Sequence, residues 1–439
     1  MTHNYKTIHN NETIALTQIP SLKYDEFLET NVLFLKDINN HCINYFGIPS
    51  GNKLKLICCI ANDSKERIKL TTSEIEPQQS NSYASISAHN LAFNMFEREI
   101  SENFGIRYSD HPWLKPVRYS FNRFDKSNEI ANYLFYRIES EELHEVGVGP
   151  IHAGMIEPGH FRFICKGEQI LHLEIQLGYQ HRGIESLFVK KNNLLQRTTL
   201  AESISGDTTV GHSAAFVNIW ESLCGYEPDE ELKFVRTLAL ELERIAIHTG
   251  DLSAICGDIA YQLGNAVFGR LRTPIINFMQ SWCGNRLAKG LIRAAQNNFI
   301  FTLVLKESLL KILDDYEQDF NEMIKKIFHN PGVLSRLEKT GVVSFEQAHK
   351  IGAVGMTAKA SGLKRDIRAS HPFYLYKYFE HQPIIKHHGD VFFANSIKKR
   401  GNSPVNKIYK NNAGKHSGST TKSHNSKHTK NKFICNFIS

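Results

Sequence analysis

The stretch "LKFVRTLALELERIAIHTGDLSAICGDIA", residues 232–260, carries a long helical pattern. Residues suited to a protein core recur in it at steps of three and four, which is the spacing of one face of an α-helix. The recurring positions are Leu238, Leu242, Ile245, Thr249 and Leu252. A second stretch of the same kind, "LVLKESLLKILDDYEQDFNEMIKKIF", occupies residues 303–328. Together they predict a bundle of long helices in the middle of the chain.

The residues before this bundle follow patterns typical of strands and shorter helices. "LKLICCIA", residues 54–61, is an apolar run of strand length, and residues 91–104 predict a helix. "HFRFICKGEQILHLEIQLGY", residues 160–179, places a turn signal between two strand-like runs and predicts a β-hairpin. We therefore expect an α+β fold. The predicted segments are an N-terminal mixed α/β domain (1–120), a polar linker (121–147), a domain with the hairpin and the helical bundle (148–393), and a tail (394–439).

Charge is distributed unevenly along the 439 residues, whose formal net charge is +7. Residues 394–439 hold ten Lys or Arg and no acidic residue, so the rest of the chain sums to −3 (7 − 10). This basic tail has almost nothing to bury and is predicted to be disordered. Charge alone would permit a nucleic-acid or lipid-binding arm. A solvated tail is the simpler interpretation, and no nucleic-acid partner is expected.

Cysteine spacing and hydropathy exclude several classes of protein. None of the 8 cysteines forms a CxxC pair, which argues against a zinc site, a cysteine-held iron–sulfur cluster and a thioredoxin-type motif. No run of about 18 apolar residues occurs. We expect a reducing compartment, and membrane association only through a partner.

The stretch "FEREISENFGIRYSDHPWLKPVRY", residues 96–119, predicts a charged helix followed by an extended segment stiffened by prolines. It also resembles the signature of the 30 kDa subunit of respiratory complex I. The residues that carry the resemblance are Glu97, Arg98, Glu99, Phe104, Gly105, Ile106, His111, Pro112 and Leu114. In that family the signature belongs to a scaffold, so the function implied is docking.

A glycine-rich loop, "GPIHAGMIEPGHFRF" at residues 149–163, leads into the predicted hairpin. On its chemistry alone it is as suited to a structural loop as to a site. With "LGYQHRGIESL" (177–187) it resembles the subunit shared by complex I, as the 49 kDa quinone-site subunit, and by the membrane-bound nickel–iron hydrogenases of the formate hydrogenlyase type. The hydrogenase branch implies that Glu157 is a proton relay. The complex I branch implies that His160, or else His152, meets a quinone headgroup.

Arg244 and His248 stand four residues apart on the long predicted helix, and thus on one face of it. A lone histidine on a helix is more often structural than functional. The resemblance implies instead that His248, with Arg244, lies beside the terminal iron–sulfur cluster of a neighbouring subunit. The related stretch 352–376 has Lys359 where the family usually has Arg, so anion pairing there is expected to be weaker because Lys lacks the planar guanidinium fork.

"AESISGDTTVGHSAAF", residues 201–216, resembles the nickel-binding element of the hydrogenases without its ligands. Ser205 and Thr208 stand at the two thiolate positions, and neutral hydroxyls are poor ligands for nickel. Nickel-based hydrogen activation is therefore not expected of this chain, and no metal site is expected. The quinone-binding tyrosine of complex I falls at or next to Gly206, so no phenol is available either.

The resemblance implies a peripheral-arm subunit of an NADH dehydrogenase-like or hydrogenase-like electron-transfer complex, on the cytoplasmic face of the inner (plasma) membrane. The fold implied is that of the hydrogenase large subunit and the 49 kDa subunit. No cofactor is expected in this chain itself. The expected partners are an iron–sulfur subunit with a [4Fe-4S] cluster and, indirectly, membrane-arm subunits, with a quinone as a further candidate ligand. A non-catalytic structural subunit is the alternative. The break in composition after Phe393 predicts a truncated or frameshifted product.

Overall fold

The computed structural model describes residues 4–77, 81–152, 158–379 and 381–392. Its strands are β1 (Lys6–Ile8), β2 (Ser21–Leu22), β3 (Asn40–Ser50), β4 (Lys53–Asn62), β5 (Arg67–Ile75), β6 (Ser82–Ala84), β7 (Arg107–Ser109), β8 (His144–Val148), β9 (His160–Lys166) and β10 (Gln169–Gln176). Its helices are α1 (Tyr24–Phe34), α2 (Asn94–Phe104), α3 (Ile184–Lys190), α4 (Leu194–Ala201), α5 (Thr209–Leu223), α6 (Glu230–Asp258), α7 (Gln262–Cys283), α8 (Leu303–Phe328), α9 (Pro331–Leu337), α10 (Phe345–Lys350), α11 (Gly355–Ala360) and α12 (Ile367–Ser370). The predicted α+β class is confirmed.

The N-terminal part is a sheet with two helices packed on it. Strands run in the order β1-β5-β4-β3, and β2 pairs with β5 in parallel. Helices α1 and α2 share one hydrophobic core with the sheet, in which Phe27, Tyr45, Leu56 and Phe93 are buried. The predicted strand 54–61 lies inside β4, and the predicted helix forms as a short 3₁₀ turn followed by α2.

The charged residues of α2 fasten the loops around it. Glu97 is fully buried; its carboxylate accepts hydrogen bonds from the backbone N–H of Ile86 (2.8 Å) and Ser87 (3.1 Å) and from the Ser85 hydroxyl (2.6 Å). Arg98 donates to the carbonyl of Lys115 at 2.6 Å. Buried charges need such partners, because an unpaired one costs several kcal/mol. Part of the 30 kDa-type signature therefore serves contacts within this chain.

Glu102 gives a test of this interpretation. Its carboxylate accepts hydrogen bonds from three successive backbone N–H groups, those of Val117, Arg118 and Tyr119. Glu102→Gln replaces one acceptor oxygen with a donor, and we expect it to lower the free energy of unfolding by about 1–3 kcal/mol in urea titrations. The exposed control Glu322→Gln, on α8, should leave the free energy of unfolding nearly unchanged, because surface ion pairs contribute little. Equal losses in the two variants would refute the fastening role.

The second part begins with a three-stranded antiparallel sheet of order β10-β9-β8. The predicted hairpin is confirmed as β9 and β10, which turn at Gly167 with φ of +59°. The sequence does not predict β8, which pairs with β9 from within the predicted linker. One face of the sheet is apolar: Leu173 lies beside Phe163, and Phe163 beside Val146.

The helical part follows and matches its predicted pattern. Asp229 caps the N-terminus of α6, where its side chain accepts from the Leu232 N–H, and Thr302 caps α8 in the same way by accepting from the Leu305 N–H. All five predicted core positions of α6 are buried, namely Leu238, Leu242, Ile245, Thr249 and Leu252. Helix α6 packs against α5 and α7, and α7 against α8. Within the described ranges no helix is both long and apolar enough to cross a bilayer.

The two parts meet along a seam, and all described residues lie in one compact unit. The Asn10 side chain donates to the His371 carbonyl at 2.9 Å, and the His371 imidazole lies 3.6 Å from Asp63 on the N-terminal sheet. On the other side Lys115 Nζ contacts the Glu174 carboxylate of β10 at 2.9 Å. The contacts of His371 join the residues after β1 and β4 to the segment that follows α12, and the Lys115 contact joins the segment after β7 to β10.

Candidate functional site

The loop between α4 and α5 is fixed by Glu202. This carboxylate is buried and accepts hydrogen bonds from the Gly290 N–H (2.7 Å) and from Arg293 Nη1 (2.5 Å). Both donors lie in the segment after α7. Glu202 thereby anchors the loop to the bundle through its Oε1 atom.

The two positions predicted to replace thiolates hold hydroxyls in this loop. The Thr208 hydroxyl lies 2.9 Å from His212 Nδ1, so each is engaged with the other, and Ser205 is half-buried. Across the described part of the chain, no group of three or more His, Cys, Asp or Glu is placed to hold a metal ion. The neutral hydroxyls of Ser205 and Thr208 are poor ligands for nickel and cannot replace two thiolates.

Glu243 of α6 reaches the first turn of α5, next to this loop. Its carboxylate accepts from the N–H of Val210 at 2.6 Å and from that of Gly211 at 3.0 Å. A Cβ at position 211 would lie 3.3 Å from Glu243 Oε1, a tight contact that would press on the carboxylate. Burial and, to a smaller extent, the charge of Asp207 raise the pKa of Glu243 to about 7, although the two N–H bonds lower it. The sequence predicts only that Glu243 faces a partner one turn away, and it gives no signal of a proton-binding group.

A small cavity of about 20 Å³ adjoins Glu243. Asp207, Arg272 and Arg286 contribute its charged walls, and Leu242 and Met279 are among its apolar ones. A cavity of this volume has room for one water molecule. A quinone ring does not fit in this cavity.

Arg244 is turned into a buried network. It forms an ion pair with Glu241, whose Oε1 also accepts from the Tyr376 hydroxyl at 2.7 Å and lies 3.3 Å from Arg368 Nη1. Burial raises the pKa of Glu241, but the charges of Arg244 and Arg368 outweigh it and hold the pKa below its usual range. His248 lies one turn further along α6 and is half-buried. Arg244 is thus engaged within the chain, and the predicted position of Arg244 and His248 beside a partner's iron–sulfur cluster stays a prediction.

Asp366 is the second anion of this network. Its Oδ2 lies within 3.1 Å of Lys359 Nζ and His381 Nε2 and accepts from Arg368 Nη2 at 2.8 Å. Burial raises the pKa of Asp366, but the hydrogen bonds from His381 and Arg368 outweigh it and hold the pKa well below its usual range. Lys359 supplies a single contact, as expected for an ammonium in the place of a guanidinium.

The catalytic roles predicted for His160, His152 and Glu157 stay predictions. His160 begins β9 and packs on the Phe135 ring, with 5.1 Å between ring centroids, while the Arg162 guanidinium lies over the same ring. His152 is exposed. Glu157 lies outside the described residues. The interior position of His160 and its stacking on Phe135 could not be read from the loop sequence.

His160 provides a pH test of this packing. Burial lowers the pKa of His160, and the charge of Arg162 lowers it further. The unfolded chain therefore binds this proton more readily, so stability should fall as pH drops below about 6.5, the unfolded value. His160→Gln should reduce the loss in unfolding midpoint between about pH 7.5 and 5.5. His144→Gln, an exposed residue of the same sheet, should leave the loss unchanged.

Two family models match the chain. Residues 24–120 match the 30 kDa subunit of the respiratory-chain NADH dehydrogenase, and residues 260–427 match its 49 kDa subunit.

Among curated proteins, the membrane-bound hydrogenase subunit alpha of Pyrococcus furiosus is 28% identical over 261 residues, which cover 58% of this chain and 61% of that protein. Formate hydrogenlyase subunit 5 of Escherichia coli is 29% identical over 52% of this chain and 40% of its own length. The C/D component of the NADH-quinone oxidoreductase of Phocaeicola vulgatus is 27% identical over 67% and 63%, respectively. The chain thus spans about half the length of the curated relatives it matches. It belongs to the family that unites these complex I and hydrogenase subunits, and it joins a 30 kDa-type and a 49 kDa-type domain in one polypeptide.

Proposed function

We propose that this protein is a peripheral-arm subunit of a membrane-associated NADH dehydrogenase-like or hydrogenase-like electron-transfer complex. In that complex it docks beside a subunit that carries a [4Fe-4S] cluster, and it reaches the cytoplasmic face of the membrane through its partners. The relatives are subunits of such complexes by name, which supports the assignment to this class. The chain itself supplies the scaffold, with His248 of α6 toward the cluster.

The observation that carries the proposal is the apolar face of the β10-β9-β8 sheet. The outer strands present Val146 of β8 (40% exposed) and Leu173 (44%) and Ile175 (40%) of β10. On the central strand β9, Phe163 pairs with Val146 and Leu173, and Phe161 pairs with Ile175. Isolated exposed apolar residues are normal, but a contiguous apolar patch on a soluble domain indicates an interface with another protein. Covering it would remove a large cost of solvation.

The loop 202–212 supports a role without nickel chemistry. Glu202 keeps the loop in place through Gly290 and Arg293, while Ser205 and Thr208 present hydroxyls that do not suit nickel. The loop therefore keeps its anchoring contacts although hydroxyls stand at the two thiolate positions. Electron transfer would pass through the partner's cluster, which His248 would tune.

A second candidate is a structural subunit without any redox contribution. The packing of His160 on the Phe135 ring favours it, because this contact gives His160 a structural role. Substitutions distinguish the two. A redox role predicts slower turnover for Glu157→Gln and a shifted cluster potential for His248→Leu. The structural role predicts that neither quantity changes.

Affinity purification tests the docking proposal. The tagged chain is extracted with detergent from membranes of the organism that encodes it, and the eluate is analysed for iron, acid-labile sulfide and the electron paramagnetic resonance of a reduced cluster. We expect an iron–sulfur subunit to co-purify. An eluate without iron would overturn the proposal.

Two matched variants test whether the iron–sulfur subunit docks on the β10-β9-β8 sheet. Leu173→Glu puts a charge in the apolar patch and should reduce the co-purified iron at least tenfold. Leu263→Glu places the same charge on α7, at another exposed apolar residue (53%), and should leave the iron content unchanged. Equal iron in the two eluates would show that the partner docks elsewhere.

A further inference from the structure

We propose that Glu243, together with one water molecule in the cavity beside it, is a proton-binding site that exchanges with solvent through Asp207. This site goes beyond the docking role and does not depend on it. It belongs to the folded chain alone, so it can be tested without any partner subunit.

The first step is the balance of forces on the carboxyl group. Both oxygens of Glu243 meet backbone N–H groups at the start of α5, a 15-residue helix whose N-terminus favours negative charge. Burial opposes ionisation, because a charge inside protein loses its hydration. The two effects are comparable here, since the pKa of Glu243 is raised to about 7. Both protonation states are thus populated near neutral pH.

The second step is a place for the proton. A protonated carboxyl needs an acceptor for its O–H, and the two N–H groups cannot serve as one. The adjoining cavity has room for one water. Arg272 lines this cavity, and its buried Nε makes no hydrogen bond to any residue that the structure describes. A water there could accept from both the Glu243 O–H and Arg272 Nε.

The third step is a route to solvent. Asp207 lines the same cavity and its side chain is 69% exposed, with Arg272 Nη2 at 3.4 Å. The other charged group on the wall is Arg286, after α7. On α5, the titratable His212 is engaged with Thr208. A proton can therefore pass from bulk water by Asp207 and the cavity water to Glu243, without crossing the apolar bundle.

Deprotonation should also tighten the junction of α5 and α6. A carboxylate accepts both N–H bonds more strongly than a neutral carboxyl, because charge-assisted hydrogen bonds are shorter and stronger. The loop that bears Ser205 and Thr208 leads directly into this turn of α5. The protonation state of Glu243 thus acts on the loop that the family uses for its reactive centre.

Infrared difference spectroscopy of the purified full chain tests the site. Between about pH 6 and pH 8 we expect the loss of one protonated-carboxyl C=O band, and Glu243→Gln should abolish that change. Titration of every carboxyl band near pH 4, or a neutral-pH band that persists in Glu243→Gln, would overturn the proposal.

A second variant keeps the test decisive if Glu243→Gln does not fold. Asp207→Asn removes an exposed negative charge from the cavity wall and leaves Glu243 in place, so the band should titrate at lower pH. Glu322→Gln, on the exposed face of α8, should not move it. An unchanged midpoint in Asp207→Asn would also refute the site.

Discussion

Replacing Asp366 by alanine should lower the free energy of unfolding by about 3–5 kcal/mol, because it leaves buried cations without their counter-charge. Lys359, Arg368 and His381 all contact this carboxylate, and the side chains of Lys359 and Arg368 are only 13% exposed. Arg368 would keep Glu241 as a partner, whereas Lys359 has no other ion pair among the described residues. Urea unfolding followed by circular dichroism measures the loss.

The control for Asp366 is a carboxylate in an exposed pair. Asp319 contacts Arg270 at 2.5 Å, but both side chains are largely in solvent, so Asp319→Ala should cost less than about 1 kcal/mol. Because the pKa of Asp366 is depressed, its contribution is complete above the unfolded value, about 3.9, and is lost only as pH falls through the lower folded value. A loss below about 1 kcal/mol in Asp366→Ala would show that the network does not support the fold.

Replacing Arg236 by methionine should have an effect of similar size. Arg236 is fully buried and donates twice to Glu221, both at 2.7 Å, and its guanidinium also lies against the Tyr374 ring. Arg236→Met leaves the Glu221 charge uncompensated in the core, at a cost of about 3–5 kcal/mol. Thermal and urea unfolding should agree on this loss.

A double variant separates the lost pair from lost packing. Glu221 also accepts from the Ala295 N–H at 2.7 Å, and glutamine keeps that acceptor without the charge. Arg236→Met with Glu221→Gln should therefore be more stable than Arg236→Met alone. A double variant that is less stable than the single one would assign the effect to packing.

Local pattern predicts much of this fold. Helices α6 and α8, strand β4 and the β9-β10 hairpin follow from periodicity and turn residues, since those signals lie within each element. Helix α7 is not predicted from local pattern because Pro274 lies inside it. Strand β8 is not predicted because its five residues form a strand only by pairing with β9. Strand pairing depends on tertiary contacts, and the strand propensity of single residues predicts it only weakly.

The candidate site also has features that the sequence predicts and features that it does not. The replacement of two thiolates at Ser205 and Thr208 is visible in the motif itself. The partners of Glu202 are not, because Gly290 and Arg293 lie 88 and 91 residues away in the chain. The same holds for Glu243, whose unusual proton affinity comes from burial against α5. Sequence names the ionisable residues here, whereas folding decides which of them are buried, paired or open to water.

The contact of Asn10 with His371 has a consequence for biosynthesis. The two residues are 361 positions apart, so the ribosome needs roughly 20–70 s at typical elongation rates before the second can reach the first. Throughout that interval the N-terminal sheet stands alone, with the surface around Asp63 still uncovered. We therefore expect the N-terminal domain to fold before this contact forms. We also expect chaperones to bind its uncovered surface at this stage of translation.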